Sequence, residues 1–198
     1  MFQLIESILL LDGQFVNLPA HQERVDNALN DLYKTDKRID LKEFLHTFNF
    51  PATGRYKCRM MYNPLSKDVE FLPYTFKAVN TLKIRVDNSI VYDYKYADRS
   101  SLNKLMADRG ECDDILIVKN GWVTDSSYAN IIFKRKDKWY TPHSCLLRGT
   151  MRQILLRSGT IQEEQIAMSD IQKFEKFRLI NAMLGFDSPE CDISNIYS

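Results

Sequence analysis

The run Gly121-Trp122-Val123-Thr124-Asp125-Ser126-Ser127-Tyr128-Ala129-Asn130 reads as a strand that turns at Asn120-Gly121 and then sets one acid, Asp125, beside a row of small polar residues. Asn-Gly between β-prone residues signals a hairpin, because both positions accept positive φ at low cost. The later run Leu147-Arg148-Gly149-Thr150-Met151-Arg152 reads as a glycine leading into a helix. The opening N–H groups of such a helix have no intrahelical acceptor, and they can hold an anion. One carboxylate and one anion-binding helix start therefore fall close together in the sequence.

Working outward from these segments, short strands are predicted at 82–86, 90–96, 114–119, 129–134 and 138–141, with a helix over about 101–109. A second helix follows Gly149. A strand is expected near 161–166, a short helix after Ser169 and a last strand over about 177–183. Upstream, residues 2–11 are apolar and β-prone, Asp12-Gly13 is a tight turn, and Gln14 to Leu18 can return as the partner strand. Pro19 opens a helix to about Tyr33, and Asp40 is placed to cap a second one running to about Phe48. Tyr56–Tyr62 and Val69–Tyr74 are expected to pair through the turn Asn63-Pro64-Leu65-Ser66. The pattern predicts an α+β fold with the boundary near 76–82: a small N-terminal α/β domain over 1–80 and a larger, barrel-like α+β domain over 81–198.

Composition narrows the functional classes. The 198 residues are 44% hydrophobic and 27% charged with a net charge of +1, which suits a globular protein and gives no reason to expect a nucleic-acid or membrane partner. No apolar run approaches the roughly 20 residues that span a bilayer. The N-terminus carries an early acid, Glu6, and lacks the basic region of a secretory signal. The cysteines at 58, 112, 145 and 191 and the histidines at 21, 46 and 143 are too scattered for a metal site. Reduced thiols in a cytoplasmic protein are the expectation.

A carboxylate near an anion-binding helix start suits a cofactor with a phosphate at one end and a protonated ring nitrogen at the other. Pyridoxal 5′-phosphate fits that description. The segments also resemble the class IV aminotransferases, the family of D-amino-acid and branched-chain aminotransferases and aminodeoxychorismate lyase. The resemblance is carried by Thr124-Asp125-Ser126-Ser127-Tyr128-Ala129-Asn130, by Tyr140-Thr141-Pro142 and by Gly149-Thr150-Met151-Arg152. Upstream, Pro19-Ala20-His21-Gln22-Glu23-Arg24 is similar to the family's first helix, whose His-x-x-Arg supplies a phosphate ligand. It implies that Asp125, where relatives usually have Glu, keeps the ring nitrogen protonated so that the ring can accept electrons. It also implies that Arg24, the N–H groups of Thr150 and Met151 and the Thr150 hydroxyl hold the phosphate behind Gly149. Asn130 either holds the strand geometry or reaches the cofactor's phenolic oxygen, and Tyr96 is a second candidate for that oxygen.

The chemistry further needs a lysine to hold the cofactor as a Schiff base and to move the substrate α-proton. Relatives carry it three or four residues before an Asn that begins the next helix, which here is Leu102-Asn103 preceded by Arg99 and Ser100. Lys95, in Tyr94-Lys95-Tyr96-Ala97-Asp98-Arg99, is the expected replacement if residues have been inserted between strand and helix. Lys104 lies inside the helix and Lys119 on another strand. The competing expectation is a non-catalytic, phosphate-binding relative that has lost the Schiff base. Arg59, Arg85 and Arg99 are candidates for the substrate carboxylate. Residues walling the substrate side in longer relatives are missing, so the resemblance leaves the cofactor side clearer than the substrate. It implies a homodimer acting on an amino-acid-like substrate, by transamination or by elimination to 4-aminobenzoate and pyruvate.

Overall fold

The computed structural model describes residues 2–198 and divides into two compact units. The first runs to Phe76 and takes in Tyr94–Asp98; the second comprises Lys77–Asp93 and Arg99–Ser198.

In the first unit, β1 (Leu4–Leu11), β2 (Gln14–Phe15), β3 (Arg55–Tyr62) and β4 (Lys67–Pro73) form an antiparallel sheet ordered β2-β1-β3-β4. Asp12 and Gly13 turn the first hairpin at φ 45° and 76°, as Asp-Gly should. The second hairpin closes on Asn63, whose Oδ1 accepts the N–H groups of Leu65 and Ser66 at 2.8 and 2.9 Å. Two helices, α1 (Leu18–Tyr33) and α2 (Leu41–His46), belong to this unit. Val25, Ala28 and Leu29 of α1 share a core with Leu4 and Ile8 of β1 and with Cys58, Met60 and Tyr62 of β3. Asp40 caps α2 by accepting the Glu43 N–H at 2.9 Å.

The second unit holds β5 (Leu82–Val86), α3 (Ser100–Ala107), β6 (Asp114–Lys119), β7 (Trp122–Ser126), β8 (Asn130–Arg135), β9 (Lys138–Pro142), α4 (Thr150–Arg157), β10 (Gln162–Glu164), β11 (Lys176–Ile180), β12 (Cys191–Asp192) and β13 (Ile196–Tyr197). The strands run β10-β9-β8-β7-β6-β5-β13, and β11 joins β8 to β12. β8 is the centre of this sheet. Its Ile131 and Phe133 enter a core with Leu116, Val123, Phe177 and Leu179, whereas Ile132 enters a second cluster with Trp139, Leu155 and Ile180. Alternation along one strand thus fills both faces, which explains why its sequence is apolar without a break. The fold is mixed α and β, mostly sheet with few helices, and no helix among the described residues is long and apolar enough to cross a membrane.

Several expectations need correction. Residues 90–96 form no strand; one bridge, Leu4 to Tyr96, is all that remains. The run leaves the second unit at Asp93 and joins the first at Tyr94, so it never lies along one continuous neighbour. β11 stops at Ile180 because the Asn181 side chain accepts the N–H groups of Met183 and Leu184 at 2.8 and 3.0 Å, bending the chain. Trp122–Ser126 is a full strand, α2 ends at His46, and β12 and β13 follow the strand expected to be last.

Phe133 is fully buried, pairs with Phe177 of β11 and has its ring 5.1 Å from that of Phe174, just after the 3-10 turn ending at Lys173. Phe133→Ala is expected to lower the unfolding free energy by about 3–5 kcal/mol, read as a fall in the urea midpoint at unchanged m-value.

Candidate active site

Asp125 and Asn130 face each other across the turn from β7 to β8. The Asn130 amide donates to Asp125 Oδ1 at 2.7 Å and to the Leu147 carbonyl at 2.8 Å. Asp125 Oδ2 accepts the N–H groups of Leu146 and Leu147, both at 2.9 Å. Gly149 completes the arrangement. A Cβ there would lie 2.1 Å from Asn130 Oδ1, so the position needs glycine for space and not for its φ of −63°. The structure therefore brings Asp125, Asn130 and Gly149 into one contact set, and the segment 146–149 is strapped to the end of β7.

Asp125 is 5% exposed. Burial pushes its carboxyl up to about 6, against the pull of the Leu147 N–H, the Asn130 amide, the Arg152 charge and the Leu146 N–H. Among the described residues no cation pairs with it. Arg152 is committed elsewhere, donating to the Pro142 carbonyl at 3.0 Å and to Glu163 at 2.6 Å. Directly beyond Gly149, α4 begins without a side-chain cap, and the first bond of its opening turn is Gln153 N–H to the Gly149 carbonyl at 3.0 Å. The N–H groups of Thr150 and Met151 therefore have no acceptor within the helix. The turn Asn181–Leu184 follows Ile180, which pairs with Asn130, so it lies at the same sheet end.

Arg24 and Lys95 belong to the first unit. On α1, one turn apart, His21 and Arg24 converge on Glu6 of β1. Arg24 donates through Nε to Glu6 Oε1 at 2.8 Å and through a terminal nitrogen to Oε2 at 2.5 Å. His21 Nδ1 lies 2.5 Å from the same Oε2. Burial alone would raise the Glu6 carboxyl, but the Arg24 charge and the His21 bond bring it down to about 2. Burial lowers the His21 imidazole more than Glu6 raises it, and the charges of Arg24 and Lys95 push the same way, so the ring is neutral with its proton on Nδ1 towards Glu6. The Lys95 carbonyl accepts the Ile5 N–H at 2.9 Å. Tyr94 and Tyr96 pack against the core of this unit, and the Tyr96 N–H donates to the Tyr94 carbonyl at 2.8 Å, a tight turn centred on Lys95. The Tyr96 ring lies tilted against Phe2 at 5.6 Å and edge-on to Tyr94 at 6.2 Å.

Of the three candidate arginines, Arg59 pairs with Glu70 at 2.7 Å and Arg99 donates to the Ser127 carbonyl at 2.7 Å. Arg85 reaches the neighbouring Ile84 carbonyl at 3.3 Å, and its Nε is buried without a partner. Sequence reasoning missed the pairing of Glu6 with His21 and Arg24, the paired N–H groups of 146–147 and the 181–184 turn. The first had a visible signal: one acid inside the apolar run Leu4–Leu11.

Residues 93–186 match the family model of the class IV aminotransferases. A Haemophilus influenzae protein described only as uncharacterized is 38% identical over 187 residues, covering 93% of this chain and 100% of its own. A crystal structure from Haemophilus somnus, provisionally described as a 4-amino-4-deoxychorismate lyase, is 37% identical with a TM-score of 0.88, covering 94% of this chain and 98% of that one. A Brucella abortus aminotransferase bound to pyridoxal phosphate shares the fold at 16% identity, with a TM-score of 0.73 over 96% of this chain and 83% of its own.

Gly149→Ala is expected to force Asn130 off its bonds to Asp125 and Leu147 and to cost about 1–3 kcal/mol, seen as a lower thermal midpoint. The raised carboxyl of Asp125 gives a sign for pH. A folded-state value near 6, above the ordinary 3.8, means a contribution complete at low pH and lost as pH rises through 6. The unfolding free energy of the wild type should therefore fall relative to Asp125→Asn by on the order of 2–3 kcal/mol between about pH 4 and about pH 7.

Proposed function

Because this chain belongs to the class IV aminotransferase family, whose members are pyridoxal-phosphate-dependent aminotransferases or lyases, we propose that it is a pyridoxal-phosphate enzyme acting on an amino-acid-like substrate. The observation that carries this reading is Asp125. A carboxylate buried among neutral donors, with no cation bonded to it among the described residues, suits a cation brought by a ligand, and a protonated ring nitrogen is such a cation. The loop strapped by Asn130 and Gly149 leads straight into the open N–H groups of Thr150 and Met151, which suit a phosphate. The resemblance of its helix to the family's first helix assigns Arg24 as a further phosphate ligand.

When bound, the cofactor supplies an electron sink for bond cleavage at the substrate α-carbon. The residues of this chain do the rest. Lys95 supplies the amine that anchors the cofactor and carries the α-proton. Asp125 holds the ring nitrogen's proton in place. Arg24, Thr150 and Met151 fix the phosphate. Transamination is the broad reading, with the homodimer of the family as its working form. Elimination of pyruvate to leave 4-aminobenzoate is the second reading, and the 37% identical Haemophilus somnus protein favours it. Alanine of either hand with 2-oxoglutarate, set against aminodeoxychorismate, separates the two; pyruvate formation alone does not.

Adding pyridoxal phosphate to the purified protein should give a near-visible absorbance band, and borohydride should fix a pyridoxyl group on Lys95 in a peptide mass map. Lys95→Ala should abolish the adduct and lower kcat on the order of a thousandfold or more. An adduct on another lysine keeps the enzyme and discards Lys95, whereas phosphate binding without any adduct leaves a non-catalytic relative.

A further inference from the structure

Glu6 interrupts an otherwise apolar strand and is fully buried. An isolated carboxylate in such a place costs several kcal/mol unless it is paired and bonded. Here one oxygen, Oε2, is shared by His21 and Arg24, both 2.5 Å away, while Oε1 takes the Arg24 Nε at 2.8 Å. The i,i+3 spacing on α1 puts the two donors on one face, towards β1. The guanidinium is thereby held side-on, its plane set by the carboxylate. Its side chain is 16% exposed, whereas His21 and Glu6 are sealed. His21 Nε2 is a buried nitrogen with no hydrogen-bond partner. The three side chains are thus charge-neutral as a set, and one vacant proton site is built into them.

We propose that Glu6 and His21 are positioning residues for Arg24, and that a phosphate or sulfate oxyanion arriving at Arg24 makes His21 take up one proton. The inference rests on the reading of Arg24 as a phosphate ligand. The physical reason is charge balance. A dianion that draws on Arg24 leaves Glu6 with a smaller share of the guanidinium, and an excess of negative charge in a buried place is relieved by protonating the imidazole between them.

The groups facing His21 leave it as the one that responds. Burial is the main influence that holds the ring neutral in the ligand-free protein, with Arg24 on its own helix and Lys95 on the 94–98 segment acting the same way, while Glu6 on β1 draws the proton in. On β3, the Cys58 thiol is pushed up to about 12 by burial and by Glu6, and the Tyr62 phenol is raised further still, so both stay neutral. Glu6 is ionised well below the working range. An anion that offsets the Arg24 charge removes one of the two cationic influences that keep His21 neutral.

Linkage makes the coupling reciprocal: the factor by which the anion favours the proton is the factor by which the proton favours the anion. Sulfate is the probe, because it stays dianionic from about pH 5 to about pH 8 and cannot react with Lys95. NMR titration of the ring nitrogens should show the His21 midpoint rising by about one unit with saturating sulfate. The exposed His46 and His143 serve as internal controls and should not move. Sulfate affinity should rise about tenfold as pH falls through the His21 midpoint, and His21→Gln, which keeps a donor for Glu6, should bind sulfate with a flat pH profile. Sulfate that shifts the Arg24 Nε–H resonance but leaves His21 and the pH profile unmoved overturns the coupling and leaves the phosphate reading intact. Sulfate that never perturbs Arg24 overturns both. The wild-type titration decides the matter even if His21→Gln does not fold.

Discussion

The Asn130 side-chain amide is the contact on which the cofactor-side half of the candidate site depends. Through two hydrogens on one nitrogen it joins the end of β7 to the loop before α4, and its oxygen occupies the volume that any side chain at 149 would need. Its own position is not adjustable, because β8 is packed on both faces directly behind it. An amide fixed by a packed strand therefore dictates where the loop before α4 lies. The same device leaves Asp125 hydrogen-bonded to neutral donors, with the Arg152 charge acting on it only through space.

Two buried acids in this chain behave oppositely for one reason. Desolvation is the largest influence on both Asp125 and Glu6 and acts in the same direction. Asp125 meets amide donors, and burial wins. Glu6 meets a guanidinium in a two-point grip, and burial loses. The difference lies in whether a full positive charge is bonded to the carboxylate, since a few N–H dipoles do not replace the water that folding removed. One acid is thus held by neutral donors, while the other has a positive charge supplied from within.

Local chemistry was legible in the sequence. Asp12-Gly13, Asn63, Asp40 and Asn120-Gly121 each act through their own backbone or through residues two or three positions away, and each does what its side chain dictates. The polar stretch from Asp125 to Asn130 and the glycine at 149 were legible as a pattern, although the reason for the glycine was not, since it lies in an atom 19 positions upstream. The run 90–96 was misread because β-propensity says nothing about whether a partner strand is present. A tight turn stands there instead, with the Tyr96 N–H bonded to the Tyr94 carbonyl across Lys95. Glu6, His21 and Arg24 were out of reach as a set, because their union requires β1 and α1 to be packed first.

The segment Tyr94–Asp98 has a consequence for how the chain can be divided. The polypeptide leaves the first unit at Phe76, returns for five residues and leaves again at Arg99. Neither unit is a contiguous piece of the gene product. A fragment ending near residue 76 would strip the Gln3 carbonyl and the Ile5 N–H of the partners they have in Ala97 and Lys95. The uncovered rim of β1 would then be a strand edge open to pairing with other copies. The two units therefore form a single hereditary package, in which recombination at the apparent joint would break the sheet it was meant to spare.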